Sequence, residues 1–207
     1  TMTLSHSSGG DLYTASSMSI MRYNVSRDAG YLKLGGRCYL GHFNLKAMSS
    51  GYIRVVNEVP LAHYLYGVVG YEMSNTFPIE ALKSQAIAAK CYVLSNITMS
   101  GDYYIGDTSS DQVYKGYDSS YTNVINAVDS TLDQVLAVNG TLLCTYYAAS
   151  NGGETLLPSQ AWPSKKVNDK GYGISLDPYD LANAYSKKET ISIPINMPGS
   201  ITPALMT

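Results

Sequence analysis

The sequence predicts an α+β fold, and three observations carry that expectation. The first third consists of short β-type runs broken by glycine. From Pro60 the apolar residues change from alternation to helical spacing. Between residues 134 and 150 two apolar runs flank an Asn-Gly pair. The expected order is an N-terminal β-hairpin region, a central helix pair, a third helix and a C-terminal β-hairpin. A length of 207 residues suits one domain with a sizeable core. That domain is expected over 1–185. The Pro- and Ser-containing segment 186–207 has weak periodicity and reads as a tail or linker.

The β-type runs are "MSIMRYNV", "YLKLGG", "RCYLGHFNLKA" and "YIRVVNEV", punctuated by Gly35-Gly36 and Ser49-Ser50-Gly51, a hairpin signature. Pro60 suits a first helical position, where its missing N–H costs nothing. Leu61, Leu65, Val68 and Glu72 then follow at spacings of four, three and four, which puts them on one helical face. Asn75 and Pro78 close this helix and open the next, with Glu80 in a first turn that favours an acid. Ile79, Leu82, Ala86, Ala89, Val93 and Ile97 form the buried stripe of a long helix running towards Met99. The polar stretch "SGDYYIGDTSSDQVYKGYDSS" is too long for a mere connector. A third helix is expected from about Ser120 to Thr131, with Val124, Val128 and Leu132 inward. In "QVLAVNGTLLCTYYAAS" the pair Asn139-Gly140 is the preferred type I′ turn.

Composition narrows the function. Only 14% of residues are charged, against the usual quarter, while Tyr reaches 19. A net charge of -2 offers no basic field for nucleic acid. There is no basic amphipathic segment to lie on a membrane, no run of about eighteen apolar residues, and no signal peptide in the opening residues. Cys38, Cys91 and Cys144 are far apart and His6, His42 and His63 equally scattered, so no metal site is expected. Low charge with abundant Tyr, Ser and Thr suits an extracytoplasmic protein that handles carbohydrate.

Glu72 is the leading catalytic candidate. It closes an apolar stripe, where low-dielectric surroundings raise an acid's pKa, and it lies near a helix C-terminus, which disfavours a carboxylate further. Both effects produce an acid still protonated near neutral pH, as a general acid to a glycosidic oxygen must be. A frayed helix end with Glu72 turned into solvent is the plain alternative. Asp107 and Asp111, in the long loop, can bond sugar hydroxyls or supply a second carboxylate, but ordinary Asp and Ser turn chemistry explains them as well. Ser150, Asn151, Gly152 and Gly153 can bring backbone N–H groups to a substrate, or form a plain glycine turn. Lys83 and Gln85 lie one turn into the second helix, and Lys90 two turns further on. Either lysine can hold an acidic substrate group, or be solvated helix surface. The tyrosines offer stacking platforms for sugar rings, though most suit sheet packing.

"VNEVPLAHYLYGVVGYEMSNTFPIEALKSQAIAAKCYVL" resembles the signature of the stage II sporulation protein D family, which includes amidase-enhancer domains of bacterial cell-wall proteins. "DTSSDQVYKG", "YYAASNGGET" and "GYGISLDPYD" are similar to three later motifs of that family, collinear from about Gly36 to Asp180. The resemblance implies a lytic transglycosylase that cleaves the β-1,4 bond between N-acetylmuramic acid and N-acetylglucosamine, leaving a 1,6-anhydro product. The family's glutamate falls on Glu72, which serves as acid and then base, so the carboxylate pair of ordinary glycosidases is not needed. It implies a surrounding cleft of Gln85, Lys90, Gln112, Tyr114 and Ser150, with Lys83, Asp107, Gly152 and Gly153 as further substrate contacts. The implied partners are peptide-stripped glycan strands, a cell-wall amidase and other sporulation proteins, outside the cytoplasm. Membrane attachment in sporulation members is through an N-terminal anchor, which these residues do not include. The alternative is a non-catalytic glycan-binding module that stimulates an amidase.

The departures from the family pattern are specific. Lys90 stands where the family usually has Arg, Phe77 where it has Trp, and Ala62 where it has Glu. Some relatives hold zinc in the loop matching residues 106–111. Here that loop has no Cys or His, so neither zinc nor another cofactor is expected.

Overall fold

The structure, a computed structural model, describes residues 1–23, 27, 30–98, 101, 103–164 and 167–182. The expected tail 186–207 and the expected helix end at Met99 lie outside the described residues. The chain divides into two compact units, Thr1–Tyr147 and Ala148–Thr207. Helices and small antiparallel sheets make up the chain, in keeping with the α+β expectation.

In the first unit the strands are β1 (Met2–Ser5), β2 (Asp11–Ala15), β3 (Ser17–Ile20), β4 (Leu32–Leu34), β5 (Arg37–Tyr39), β6 (His42–Ala47) and β7 (Ile53–Glu58). β3, β6 and β7 form a three-stranded antiparallel sheet in that order, while β1 pairs with β2 and β4 with β5. The run "RCYLGHFNLKA" is two strands because Gly41 turns the chain at φ +83°, where a Cβ would stand 2.1 Å from the Glu58 carbonyl oxygen. The sequence reading did not include the first hairpin, whose strands are almost wholly exposed. That hairpin is tied by Thr3 to Thr14 and by Ser5 to Asp11 through side-chain hydrogen bonds.

Three helices follow: α1 (Leu61–Glu72), α2 (Ile79–Asn96) and α3 (Thr122–Asp129). Pro60 and Pro78 sit one residue outside the expected place, just ahead of the first helical position. α1 is buried from Tyr64 to Val69, so it is the central helix and not a surface one with a single apolar stripe. Around it pack Leu40, Leu82, Ala86, Ala89, Val93, Val124 and Val128. Each large apolar side chain so buried contributes roughly 1.5–3 kcal/mol relative to an exposed one. The ends of the predicted stripes are exposed, at Ile79 on α2, at Ile97 just past its end and at Leu132 after α3, because the packing partners stop short of them.

The stretch read as a long polar loop is only half surface. Gln112, Tyr114 and Gly116 are buried, and the segment runs against α1 and β5, with Tyr117 N–H donating to the Cys38 carbonyl at 2.7 Å. Asn139 at φ 51° and Gly140 at φ 77° make the expected turn between β8 (Ala137–Val138) and β9 (Thr141–Leu142). These strands are shorter than the apolar runs suggest. In the second unit two four-residue helices occur, α4 (Pro158–Ala161) and α5 (Pro178–Leu181), and Thr155 pairs with Ser175 beside a Glu154–Leu176 bridge.

Candidate active site

Glu72 is the last residue of α1 and is solvent-exposed. This corrects the expectation of a buried carboxylate: the helical period assigns Glu72 to the face of Leu65 and Val68, but the packing against that face ends before the last turn. Enough protein still surrounds the carboxyl that desolvation raises its pKa above the usual glutamate value. The helix end is not frayed. Met73 N–H caps the Val69 carbonyl at 2.9 Å, Phe77 N–H donates to the Ser74 carbonyl at 3.0 Å, and Ser74 and Thr76 bond through their hydroxyls.

Asn75 locks this corner to the neighbouring helix. Its Oδ1 accepts the N–H groups of Asn123 and Val124 at 3.0 and 3.1 Å, and its carbonyl accepts Asn123 Nδ2 at 3.0 Å. Those N–H groups are in the first turn of α3, whose own cap residue, Tyr121, makes no side-chain cap bond. A side chain from the α1–α2 turn therefore caps α3 and holds the segment after Glu72 in place.

Tyr147 lies within electrostatic range of Glu72. Its hydroxyl pKa is raised to about 12, first by burial, with the Glu72 carboxylate and Tyr92 adding to the rise and a hydrogen bond from Gln112 opposing it. Gln112 is buried and fully engaged. Its Nε2 donates to the Ala89 carbonyl at 3.1 Å and to the Tyr147 hydroxyl at 2.9 Å, while its Oε1 accepts from the Tyr64 hydroxyl at 3.1 Å. Gln112 thus joins α1, α2 and the stretch that follows β9. The sequence reading missed Tyr147, although the residue sits in the motif "YYAASNGGET" that carries Ser150.

Gln85 is half-buried on α2, one turn before Ala89 and two before Tyr92, so helical spacing puts it on the face that meets Gln112 and Tyr147. Its Nε2 is buried without a hydrogen-bond partner among the described residues. Lys83 is engaged, its ammonium 2.8 Å from Glu80. Lys90, expected in the cleft or on the surface, is neither: it is buried, burial lowers its pKa, and its ammonium donates to the Thr131 carbonyl just past α3. One carbonyl needs no bidentate fork, which accounts for lysine serving at this position.

Tyr114 is also core. Its hydroxyl donates to Asn57 Oδ1 at 2.8 Å, and its ring packs against Tyr64 and Tyr39. Asp107 and Asp111 are exposed. Asp111 Oδ2 accepts Gly106 N–H at 3.0 Å, the local turn chemistry that was the plainer expectation.

In the second unit the N–H groups of Asn151 and Gly152 converge, as expected, on an anion, but the anion is Asp180. Its Oδ2 accepts them at 2.9 and 2.7 Å and accepts the Ser150 hydroxyl at 2.7 Å. Gly153 is buried, and its carbonyl accepts Asp177 N–H at 2.7 Å. The two C-terminal motifs therefore clasp each other, and the donors expected for a substrate are occupied from within.

Comparison with known proteins bears on the residues around Glu72. A family model described as stage II sporulation protein matches residues 49–137. An uncharacterized protein of Brachyspira hyodysenteriae is 36% identical over 104 residues, covering 49% of this chain and 28% of that protein. The amidase enhancer of Bacillus subtilis is 42% identical over 100 residues, covering 48% of this chain and 14% of that protein. Stage II sporulation protein D of the same organism is 31% identical over 115 residues, covering 47% and 34%. The chain thus matches between 14% and 34% of each of these relatives' length. The matched stretch holds α1, α2, α3, Glu72 and Gln112, and over it the chain is similar to the stage II sporulation protein D family.

Proposed function

We propose that this chain is a peptidoglycan lytic transglycosylase domain, with Glu72 as its general acid and base. The observation that carries the reading is an accessible carboxyl at a capped helix end, with a raised pKa and a phenol within its electrostatic range. In the first step the Glu72 proton passes to the oxygen between C1 of N-acetylmuramic acid and the next N-acetylglucosamine. The C1–O bond breaks and positive charge develops on the muramyl ring. In the second step the muramyl C6 hydroxyl attacks C1 and its proton returns to Glu72. No water is consumed and a 1,6-anhydro end results. The Tyr147 hydroxyl accepts from Gln112, which leaves its own O–H to donate to a sugar oxygen or to the Glu72 carboxylate. The work belongs to the cell-wall side of the membrane, on strands that an amidase has stripped of peptide.

Digestion of peptide-free glycan strands, read by mass spectrometry, tests this. Anhydro-muramyl ends are expected, and Glu72→Gln should slow their appearance by about 10²–10⁴-fold, the usual worth of a general acid. Reducing muramic acid ends would instead identify a hydrolase, with Asp107 or Asp111 as the second carboxylate. A second reading is a glycan-binding module that stimulates an amidase, favoured by the 42% identity to a protein named amidase enhancer. Retained glycan binding with no product from the wild-type protein would establish it over the first.

A further inference from the structure

Asn-Gly pairs occur twice in the chain, at 139–140 and at 151–152. Such a pair is chemically weak, because a glycine amide nitrogen is unhindered and reaches the carboxamide of the preceding side chain. Asparagine is accordingly among the thermolabile residues. The structure treats the two pairs in opposite ways.

The pair Asn139-Gly140 is open. Asn139 is exposed and sits at φ 51° in the turn between β8 and β9, a left-handed conformation that an L side chain rarely adopts. Neither its carboxamide nor the Gly140 N–H has a hydrogen-bond partner among the described residues. A Cβ on Gly140 would meet nothing within 4 Å, so no neighbouring atom blocks the amide. The hairpin pairs only Ala137 with Leu142 and Val138 with Thr141, and so short a ladder opens readily.

The pair Asn151-Gly152 is closed. The Gly152 N–H donates to Asp180 Oδ2 at 2.7 Å. The Asn151 carboxamide is fixed at both ends, its Nδ2 donating to Asp177 Oδ2 at 3.1 Å and its Oδ1 accepting the Gly153 N–H at 2.9 Å. The attacking nitrogen and the carboxamide it must reach are thus held in separate hydrogen bonds.

We propose that Asn139 is a site of spontaneous modification, deamidation to aspartate and isoaspartate, and that Asp177 and Asp180 protect Asn151 from the same reaction. The Gly140 nitrogen gives its proton to solvent and bonds to Asn139 Cγ. The Cγ–Nδ2 bond then breaks, ammonia leaves, and a succinimide ring closes. Water adds to one of the two ring carbonyls and breaks its bond to nitrogen, which yields aspartate or isoaspartate with no change of oxidation state. Either product adds a negative charge to the turn. In isoaspartate the main chain runs through Cγ and is one carbon longer, so the two-residue turn no longer matches the register of β8 with β9. The strain falls on the stretch that follows, where Leu143 N–H donates to the Leu136 carbonyl at 2.9 Å and the Thr145 hydroxyl to the Ala88 carbonyl at 2.6 Å. No enzyme is needed, so the change accumulates with the age of the molecule.

Incubation of the protein at pH 8 and 37 °C, followed by proteolysis and peptide mass spectrometry, tests this. The peptide holding Asn139 should convert to paired aspartate and isoaspartate forms about tenfold or more faster than the peptide holding Asn151, where attack waits on local opening. Asn139→Gly keeps a residue suited to the turn and should abolish the change. Asp180→Ala should bring the Asn151 rate up towards that of Asn139. Hydrogen exchange at Leu143 should quicken in aged wild-type protein and stay constant in aged Asn139→Gly protein. An Asn139 that stays intact, equal wild-type rates at the two sites, an Asn151 unaffected by the loss of Asp180, or exchange at Leu143 unaltered by ageing would overturn the proposal.

Discussion

At the scale of the residue, the proposed chemistry turns on a carboxyl whose pKa is raised although its side chain reaches solvent. The sign of the consequence is fixed. The folded state binds the Glu72 proton more tightly than the unfolded state does, so folding stability falls as pH rises through the interval between the ordinary and the raised pKa. Glu72→Gln removes an ion that the fold disfavours. It should raise Tm slightly at neutral pH, and that gain should vanish below the ordinary carboxylate range. Thermal unfolding of both proteins at pH 3.5 and 7.5 checks this, and an equal shift at both values would contradict it. The same raised pKa predicts that strand cleavage declines as pH rises through it, because the ionised form has no proton to give. Lys90 shows the opposite balance, a cation retained in the core because the carbonyl of Thr131 meets it.

At the scale of the element, the corner between α1 and α2 positions Glu72 through Asn75. Asn75→Ala would leave two first-turn N–H groups of α3 without their acceptor. It should cost about 1–2 kcal/mol of stability, the usual worth of a helix cap, measurable from the urea midpoint. Cleavage should fall by more than that loss of folded protein explains, because the residues after Glu72 lose their clamp. The Ser150–Gly153 turn is equally specific in its bonding. Asp180→Ala removes the acceptor of two of its amides, and hydrogen exchange at Asn151 and Gly152 should quicken by tenfold or more. Unchanged protection there would show that the clasp does not depend on the carboxylate.

At the scale of the whole first unit, Gln112 is the joint. It binds partners 48, 23 and 35 residues away in sequence, so one side chain ties α1, α2 and the stretch that follows β9 together. Gln112→Leu would fill the space but leave a buried phenol, a second phenol and a helix carbonyl with fewer partners. A loss of about 2–4 kcal/mol is expected from denaturant unfolding, since each abandoned polar group costs about 1–3. Tyr147 would also lose the bond that orients it within range of Glu72, so kcat should fall further than stability does. A wild-type rate in a folded Gln112→Leu protein would remove Tyr147 from the proposed chemistry.

The sequence by itself determined the features whose causes are local. Helical period marked α1 and α2, Asn139-Gly140 marked its turn, and the motif around Glu72 marked both the helix end and the family resemblance. Each depends on residues within a turn or two of one another. Only the tertiary structure decided which of those residues are covered. Leu65 and Glu72 share a face, yet one is core and the other open, because the packing against that face ends before the last turn. Lys90, Gln112 and Tyr114 read as polar cleft residues until segments distant in sequence closed over them. The Ser150–Gly153 donors read as a substrate cradle until Asp180 filled it. Burial and occupancy are properties of the partner that arrives, and no local pattern encodes that partner.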